Sequence, residues 1–270
     1  MDQLPLAGRT IAVPETRELE VFAAMLERRG ASVVRCPLIT IRDAPDPSSV
    51  LAFVRKFASG SCSELILTTG EGLRRILTCI ERHEPALKEP FLTALGQVRK
   101  ITRGPKPARA LREIGLRSDL AAQPPTTAGI IASLTGTDLK GHQVGVQLAG
   151  DKPNAPLAGF LEAAGATVLS VAPYVYGDAT DDAAVRALLT RLTSGEVDAI
   201  AFTSTPQVER LFAVAPAATV SAALKATLVA AVGPVVADAL RRHGVEAQLT
   251  PHEAFFMKPL TTALEHALRT

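Results

Sequence analysis

Two halves of this chain repeat one another, and a repeat of this length restricts the fold to one structural unit made twice. The stretch GRTIAVPETRELEVFAAMLERRGASVV, from Gly8, matches GHQVGVQLAGDKPNAPLAGFLEAAGATVL, from Gly141. Each reads as a glycine, a short apolar strand, a loop, a helix and a terminating glycine. Leu19, Phe22, Ala23 and Leu26 recur at helical spacing before Gly30, as Leu157, Phe160, Leu161 and Ala164 do before Gly165. A second pair is SELILTTGEGLRRIL, from Ser63, and VDAIAFTSTPQVERLF, from Val197, apolar strands that break into Thr/Ser-rich turns and open helices. In the third pair, RGPKPARALREIGL and VGPVVADALRRHGV, Gly-Pro opens a helix closed by a glycine, Gly104 to Gly115 and Gly233 to Gly244.

Strands that alternate with helices of this length specify parallel sheets covered on both faces, with ligand loops at the strand ends. The chain has 270 residues, enough for two such domains of about five strands each. Hydrophobic residues make up 47% and charged residues 21%, the balance of a packed core and not of a disordered chain. The first ten residues carry no signal-peptide pattern, and the apolar stretch from Val214 to Leu240 is broken by Lys225, Gly233-Pro234 and Asp238. Cys36, Cys62 and Cys79 are an odd number without CxxC spacing, so neither a disulfide framework nor a zinc site is expected. A cytoplasmic protein with no membrane contact follows. A net charge of +2 without basic runs, and 4% aromatics without Trp, argue against a nucleic-acid partner.

The chain holds no GxSxG and no HExxH, its five His residues lack ligand spacing, and TTGEG lacks the marks of a dinucleotide or P-loop. What remains is five strand-end turns: Thr68-Thr69-Gly70, Gly104-Pro105-Lys106, Ala149-Gly150-Asp151, Thr203-Ser204-Thr205 and Gly233-Pro234. Any one of them alone reads as a helix cap. Five together read as ligand loops, because free N–H groups at helix N-termini hold carboxylates. Arg17, Arg103, Lys106 and Lys152 sit in or beside such turns and suit a polyanionic ligand, whereas Arg74, Arg75 and Arg109 fall inside helices, where a solvated face is expected. Tyr174 and Tyr176 lie where the last strand of the middle block enters a linker, suited either to edge packing or to a ligand cleft.

The order of these blocks resembles the uroporphyrinogen-III synthase family over nearly the whole chain. The matching residues are Thr16-Arg17 after the first strand, LTTGEG, RGPKPARALREIGL, AGATVLSVAPYVY with Tyr174 in the family's tyrosine slot, AFTSTPQV and AVGPVVADALRRHGV. The resemblance implies two flavodoxin-like, doubly wound α/β domains joined by two strands near Leu38 to Arg42 and Ala172 to Tyr176. One domain would combine residues 1–38 with 177–270, and the other would be the continuous 42–172. It also implies a lyase of tetrapyrrole biosynthesis, monomeric and free of metal or organic cofactor. Linear hydroxymethylbilane would lose its terminal hydroxyl and close with ring D inverted, with Tyr174 as the donor at that hydroxyl. Substrate contacts would come from Arg17, Thr68, Thr69, Gly70, Arg103, Gly104, Lys106, Gly150, Lys152, Thr203, Ser204, Thr205 and Gly233. Pro107, Val235 and Val236 stand where many members of the family include Thr, which keeps a non-catalytic tetrapyrrole-binding sensor of the same fold as the alternative.

Overall fold

Apolar runs of four or five residues bounded by turns become strands, and the longer amphipathic runs after them become helices. The computed structural model describes residues 4–178, 180–252 and 254–269. In chain order the first elements are β1 (Thr10–Val13), α1 (Leu19–Glu27), β2 (Ser32–Arg35), β3 (Ile39–Asp43), α2 (Pro47–Ala58), β4 (Glu64–Leu67) and α3 (Gly70–His83). The middle of the chain forms α4 (Lys88–Gln97), β5 (Arg99–Thr102), α5 (Pro105–Glu113), β6 (Leu120–Ala121), α6 (Thr127–Leu134), β7 (Gln143–Gln147), α7 (Ala155–Ala163) and β8 (Thr167–Val171). The remainder is β9 (Tyr174–Asp178), α8 (Asp182–Thr193), β10 (Ala199–Phe202), α9 (Thr205–Val214), α10 (Ala217–Lys225), β11 (Leu228–Ala231), α11 (Pro234–Arg242) and α12 (Met257–Leu268).

These elements fall into two compact units, the first of Met1–Thr40 with Gly177–Thr270 and the second of Ile41–Tyr176. The chain passes from one to the other inside β3 and again inside β9, strands that form a two-stranded sheet of their own. Unit 2 carries a parallel five-stranded sheet in the order β6-β5-β4-β7-β8. Unit 1 carries a parallel sheet in the order β11-β10-β1-β2, and a parallel bridge between Ala230 and Leu249 adds a fifth position beside β11.

By the sequence repeat, β7 and β8 correspond to β1 and β2, while β4 and β5 correspond to β10 and β11. The two sheets therefore have one spatial order and different chain orders. Numbered within its own unit, the unit 1 sheet reads 2-1-3-4-5, the flavodoxin-type order, and the unit 2 sheet reads 3-2-1-4-5. Unit 2 is a circularly permuted copy of unit 1.

β4 (ELIL) and β10 (AIAF) are buried along their whole length, as central strands of a doubly covered parallel sheet must be. Alternation along β4 divides the unit 2 core. Leu65 and Leu67 pack on one face with Phe53, Phe57 and Phe91, and Ile66 packs on the other with Ile101, Ile130, Val146, Leu157 and Leu161.

The linker strands are tied down in the same way in both units. Asp43, the last residue of β3, pairs with Arg75 of α3 at 2.6 Å, and Asp178, the last of β9, pairs with Arg210 of α9 at 3.0 Å. Arg75 and Arg210 hold the same place in the repeat. Arg82 adds a second pair to Asp43 at 2.7 Å, and Asp182 a second to Arg210, also at 2.7 Å.

Candidate functional site

Ligands of open parallel sheets bind at the carboxyl ends of strands, where the strand order changes direction. In unit 2 that place lies between β4 and β7. β4 runs into Thr68-Thr69-Gly70, and Thr69, in extended conformation, caps α3 by accepting the Gly72 N–H at 3.1 Å. Thr68 Oγ1 donates to the Gln147 carbonyl at 2.7 Å, and Gln147 Oε1 accepts the Thr69 N–H at 3.0 Å. Gln147 Nε2 donates to Thr69 Oγ1 at 3.2 Å and to the Leu148 carbonyl. Gly72 makes this possible, since a Cβ there would lie 1.9 Å from the Gln147 side-chain carbonyl carbon.

The same hydroxyl reaches the tyrosines. Tyr174 Oη donates to Thr69 Oγ1 at 3.2 Å and lies 3.2 Å from Tyr176 Oη, the two rings meeting edge to face with centroids 5.3 Å apart. Residues i and i+2 of a strand share a face, so β9 presents both phenols on one side. Tyr174 is fully buried at 0% exposure, and Tyr176 keeps part of its surface in solvent. The Tyr176 ring rests on Gly150, whose φ of 76° suits glycine and whose added Cβ would stand 2.9 Å from the ring.

Arg103 directly follows β5, and its N–H donates to the Leu67 carbonyl at 3.0 Å. Burial pulls its guanidinium below the usual arginine range while the charges that Tyr174 and Tyr176 would carry as phenolates pull it up, and it stays a cation. Among the described residues no carboxylate pairs with it. The site thus joins three hydroxyls in a hydrogen-bonded row with an uncompensated positive charge. Gly70 packs against the Lys106 carbonyl, which a Cβ would meet at 2.6 Å, so the N-termini of α3 and α5 converge. Gly104, with φ 131°, precedes α5 and lies against Pro125. Lys106 and Lys152 are exposed.

Unit 1 has the corresponding crevice between β10 and β1, filled differently. Gln207 of α9 holds the place that Gly72 holds in unit 2, and its Oε1 accepts the N–H groups of Thr203 at 2.8 Å and Ser204 at 3.2 Å. Glu15 closes the rest. Its Oε1 accepts the N–H groups of Thr16 at 3.0 Å and Arg17 at 3.2 Å, and its Oε2 accepts the Thr203 hydroxyl. Thr205, the counterpart of Gly70, sets its hydroxyl 3.5 Å from the Val235 carbonyl, and Gly233 lies under the Phe255 ring.

Of the residues expected from sequence, Thr68, Thr69, Gly70, Arg103, Gly104, Lys106, Gly150, Lys152 and Tyr174 belong to unit 2. Arg17, Thr203, Ser204, Thr205 and Gly233 belong to unit 1. The structure joins Thr69 directly to Tyr174, and Gly70 to Lys106. Thr203 is engaged by residues of its own unit. Arg74, Arg75 and Arg109 are not merely solvated: Arg74 and Arg109 pair with Glu113 at 2.8 and 3.5 Å, and Arg75 pairs with Glu71 and Asp43. Oppositely charged long side chains one helical turn apart or on adjoining elements come within reach of one another, each such exposed pair being worth on the order of 0.2–0.5 kcal/mol.

Pro107 and Val236 occupy one equivalent position, both buried on the core side of their helices, so the residues there serve packing. Gln147 in unit 2 and Glu15 in unit 1 escape the sequence reading, because Gln147 meets Thr68 and Thr69, and Glu15 meets Thr203, across long stretches of chain. Burial pushes all three thiols up, Cys36 to about 12, which leaves them protonated and weakly nucleophilic at neutral pH. Among the described residues no three His, Cys, Asp or Glu side chains gather to hold a metal, and no helix is long and apolar enough to cross a membrane.

The family model for the uroporphyrinogen-III synthase HemD matches residues 20–260. The uncharacterized protein YjjA of Bacillus subtilis is 34% identical over 252 residues, 91% of each chain. A mutant uroporphyrinogen III synthase from Thermus thermophilus is similar in structure, with a TM-score of 0.74 at 28% identity over 97% of this chain and 99% of that one. The uroporphyrinogen-III synthetase of Helicobacter pylori, at 14% identity and a TM-score of 0.55 over 97% of this chain and all of its own, shares the fold.

Proposed function

We propose, for a chain that belongs to the uroporphyrinogen-III synthase HemD family, that it cyclises hydroxymethylbilane with inversion of ring D and loss of water. The observation that carries this reading is the Thr69–Tyr174–Tyr176 hydroxyl row. Departure of the terminal hydroxyl is driven by electron donation from the pyrrole nitrogen and needs an acid on the leaving oxygen. A phenol held in a hydrogen-bonded row meets that need. The substrate's carboxylates are met by Arg103, the exposed Lys106 and Lys152, and the N–H groups of the turns at Thr69-Gly70, Gly104 and Gly150. Thr203, Ser204, Thr205, Gly233 and Arg17 are the contacts of unit 1. The protein acts as a cytoplasmic monomer without cofactor.

A second reading, a sensor that binds tetrapyrrole without turnover, has in its favour the Glu15 carboxylate that fills the crevice of unit 1. Freshly prepared hydroxymethylbilane separates the two. The synthase yields the type III isomer faster than spontaneous closure, whereas type I product alone, formed at the uncatalysed rate with tight tetrapyrrole binding, establishes the sensor.

A further inference from the structure

The phenol in the family's tyrosine slot, Tyr174, is at 0% exposure, and its hydroxyl donates to Thr69. A proton donor must touch the group it protonates. Tyr176 keeps partial exposure, and its hydroxyl lies 3.2 Å from that of Tyr174. Its ring is held from below by Gly150, where any side chain would displace it, and edge-on by the Tyr174 ring. Such seating is what a group held for one task needs.

Building on the synthase reading above, we propose that Tyr176 is the catalytic acid and that Tyr174 is the positioning residue behind it. Tyr176 Oη gives its proton to the terminal hydroxyl of the bilane. The carbon–oxygen bond breaks, its electron pair leaves with the water formed, and the pyrrole nitrogen lone pair fills the vacancy at carbon. The Tyr176 phenolate is then stabilised by Tyr174, whose O–H turns from Thr69 to the phenolate. Ring D attacks the carbon that lost the hydroxyl through its substituted position to give a spiro intermediate. The bond from this position to its original bridge carbon then breaks, a second carbon–carbon bond forms between that bridge carbon and the free position of ring D, and the proton displaced there restores the phenol. The net change is loss of one water.

The test compares Tyr176→Phe with Tyr174→Phe on hydroxymethylbilane, with kcat for the type III isomer followed against pH. Tyr176→Phe lowers kcat by about 10²–10³, as loss of a general acid does, and removes the alkaline fall of the profile. Tyr174→Phe lowers kcat by only about tenfold, the worth of one hydrogen bond to a charge. Having lost a donor to the phenolate, it also moves the alkaline fall to higher pH, a shift that a merely structural role would not produce. Gly150→Ala, which pushes the Tyr176 ring aside, follows Tyr176→Phe in direction while leaving the Tyr174 ring in place. The proposal is overturned if Tyr176→Phe keeps kcat within about twofold of wild type with its alkaline fall intact, whatever Tyr174→Phe does. A wild-type protein that yields only the type I isomer at the uncatalysed rate defeats the synthase reading itself, and this inference with it.

Discussion

The two units solve one problem with the same side chain brought in from opposite sides. Where β4 and β7 separate in unit 2, Gln147 comes from the strand and Gly72 on the helix leaves room for it. Where β10 and β1 separate in unit 1, Gln207 comes from the helix and Pro14 stands just past the end of the strand. Both amides accept backbone N–H groups at the start of the following helix, donors that would otherwise be left unpaired beside a buried strand end. The need belongs to the fold, and the residue that meets it can exchange places with its opposite. The difference that bears on function is charge. Unit 1 turns its loop N–H groups onto its own carboxylate, Glu15, while in unit 2 no carboxylate among the described residues pairs with Arg103.

The largest expected effect tests the exchanged glutamine. Gly72→Ala puts a methyl group into the Gln147 side chain, and by the cost of overpacking it destabilises the protein by about 2–3 kcal/mol in urea titration. The double variant with Gln147→Ala recovers part of that loss, giving a coupling of about 1 kcal/mol or more. Additive losses would break the comparison, because the two positions would then not compete for one space.

Next in size is Glu15→Ala, which takes an acceptor from the Thr203 hydroxyl and from two loop N–H groups and costs about 1–2 kcal/mol. Added sulfate restores part of the lost thermal stability if the emptied crevice behaves as an anion site. A sulfate response equal to that of wild type would show that its own carboxylate is not what distinguishes unit 1.

The smallest concerns the linker clamp. The Arg75 hydrogen bond, aided by the charges of Arg75 and Arg82, holds the Asp43 carboxyl below its usual range, so its contribution is present at neutral pH and lost as pH falls through that depressed value. Asp43→Asn is therefore less stable than wild type at pH 7, by an amount in the range of about 0–1 kcal/mol for exposed pairs, and the gap closes toward pH 3. A gap that stays constant with pH would mean that shape, not charge, matters at Asp43.

Local patterns made much of this legible. Gly30 and Gly165 end their helices with φ of 95° and 82°, and the strand-turn-helix blocks fall where the repeat puts them. The permuted chain order was hidden, because the pairing of β4 with β7 and of β1 with β10 joins segments far apart in sequence and no local preference encodes it. At the site, strand periodicity puts Tyr174 and Tyr176 on one face but says nothing of which lies deeper. Tyr174 is buried where its hydroxyl meets Thr69, a residue 105 positions away. The pairing of Gln147 with Gly72 was invisible for the same reason: neither residue has a meaning until the two are neighbours.

The permutation also bears on synthesis. Every strand of the unit 2 sheet lies within one unbroken stretch, Ile41–Tyr176, so that sheet can form as soon as the stretch has left the ribosome. β1 is a central strand whose other neighbour, β10, begins only at Ala199. At about 5–20 residues per second, the open edge of β1 waits on the order of ten to forty seconds for its partner. Such an edge is an invitation to foreign strands, so the first forty residues are where a nascent chain of this design most needs a chaperone.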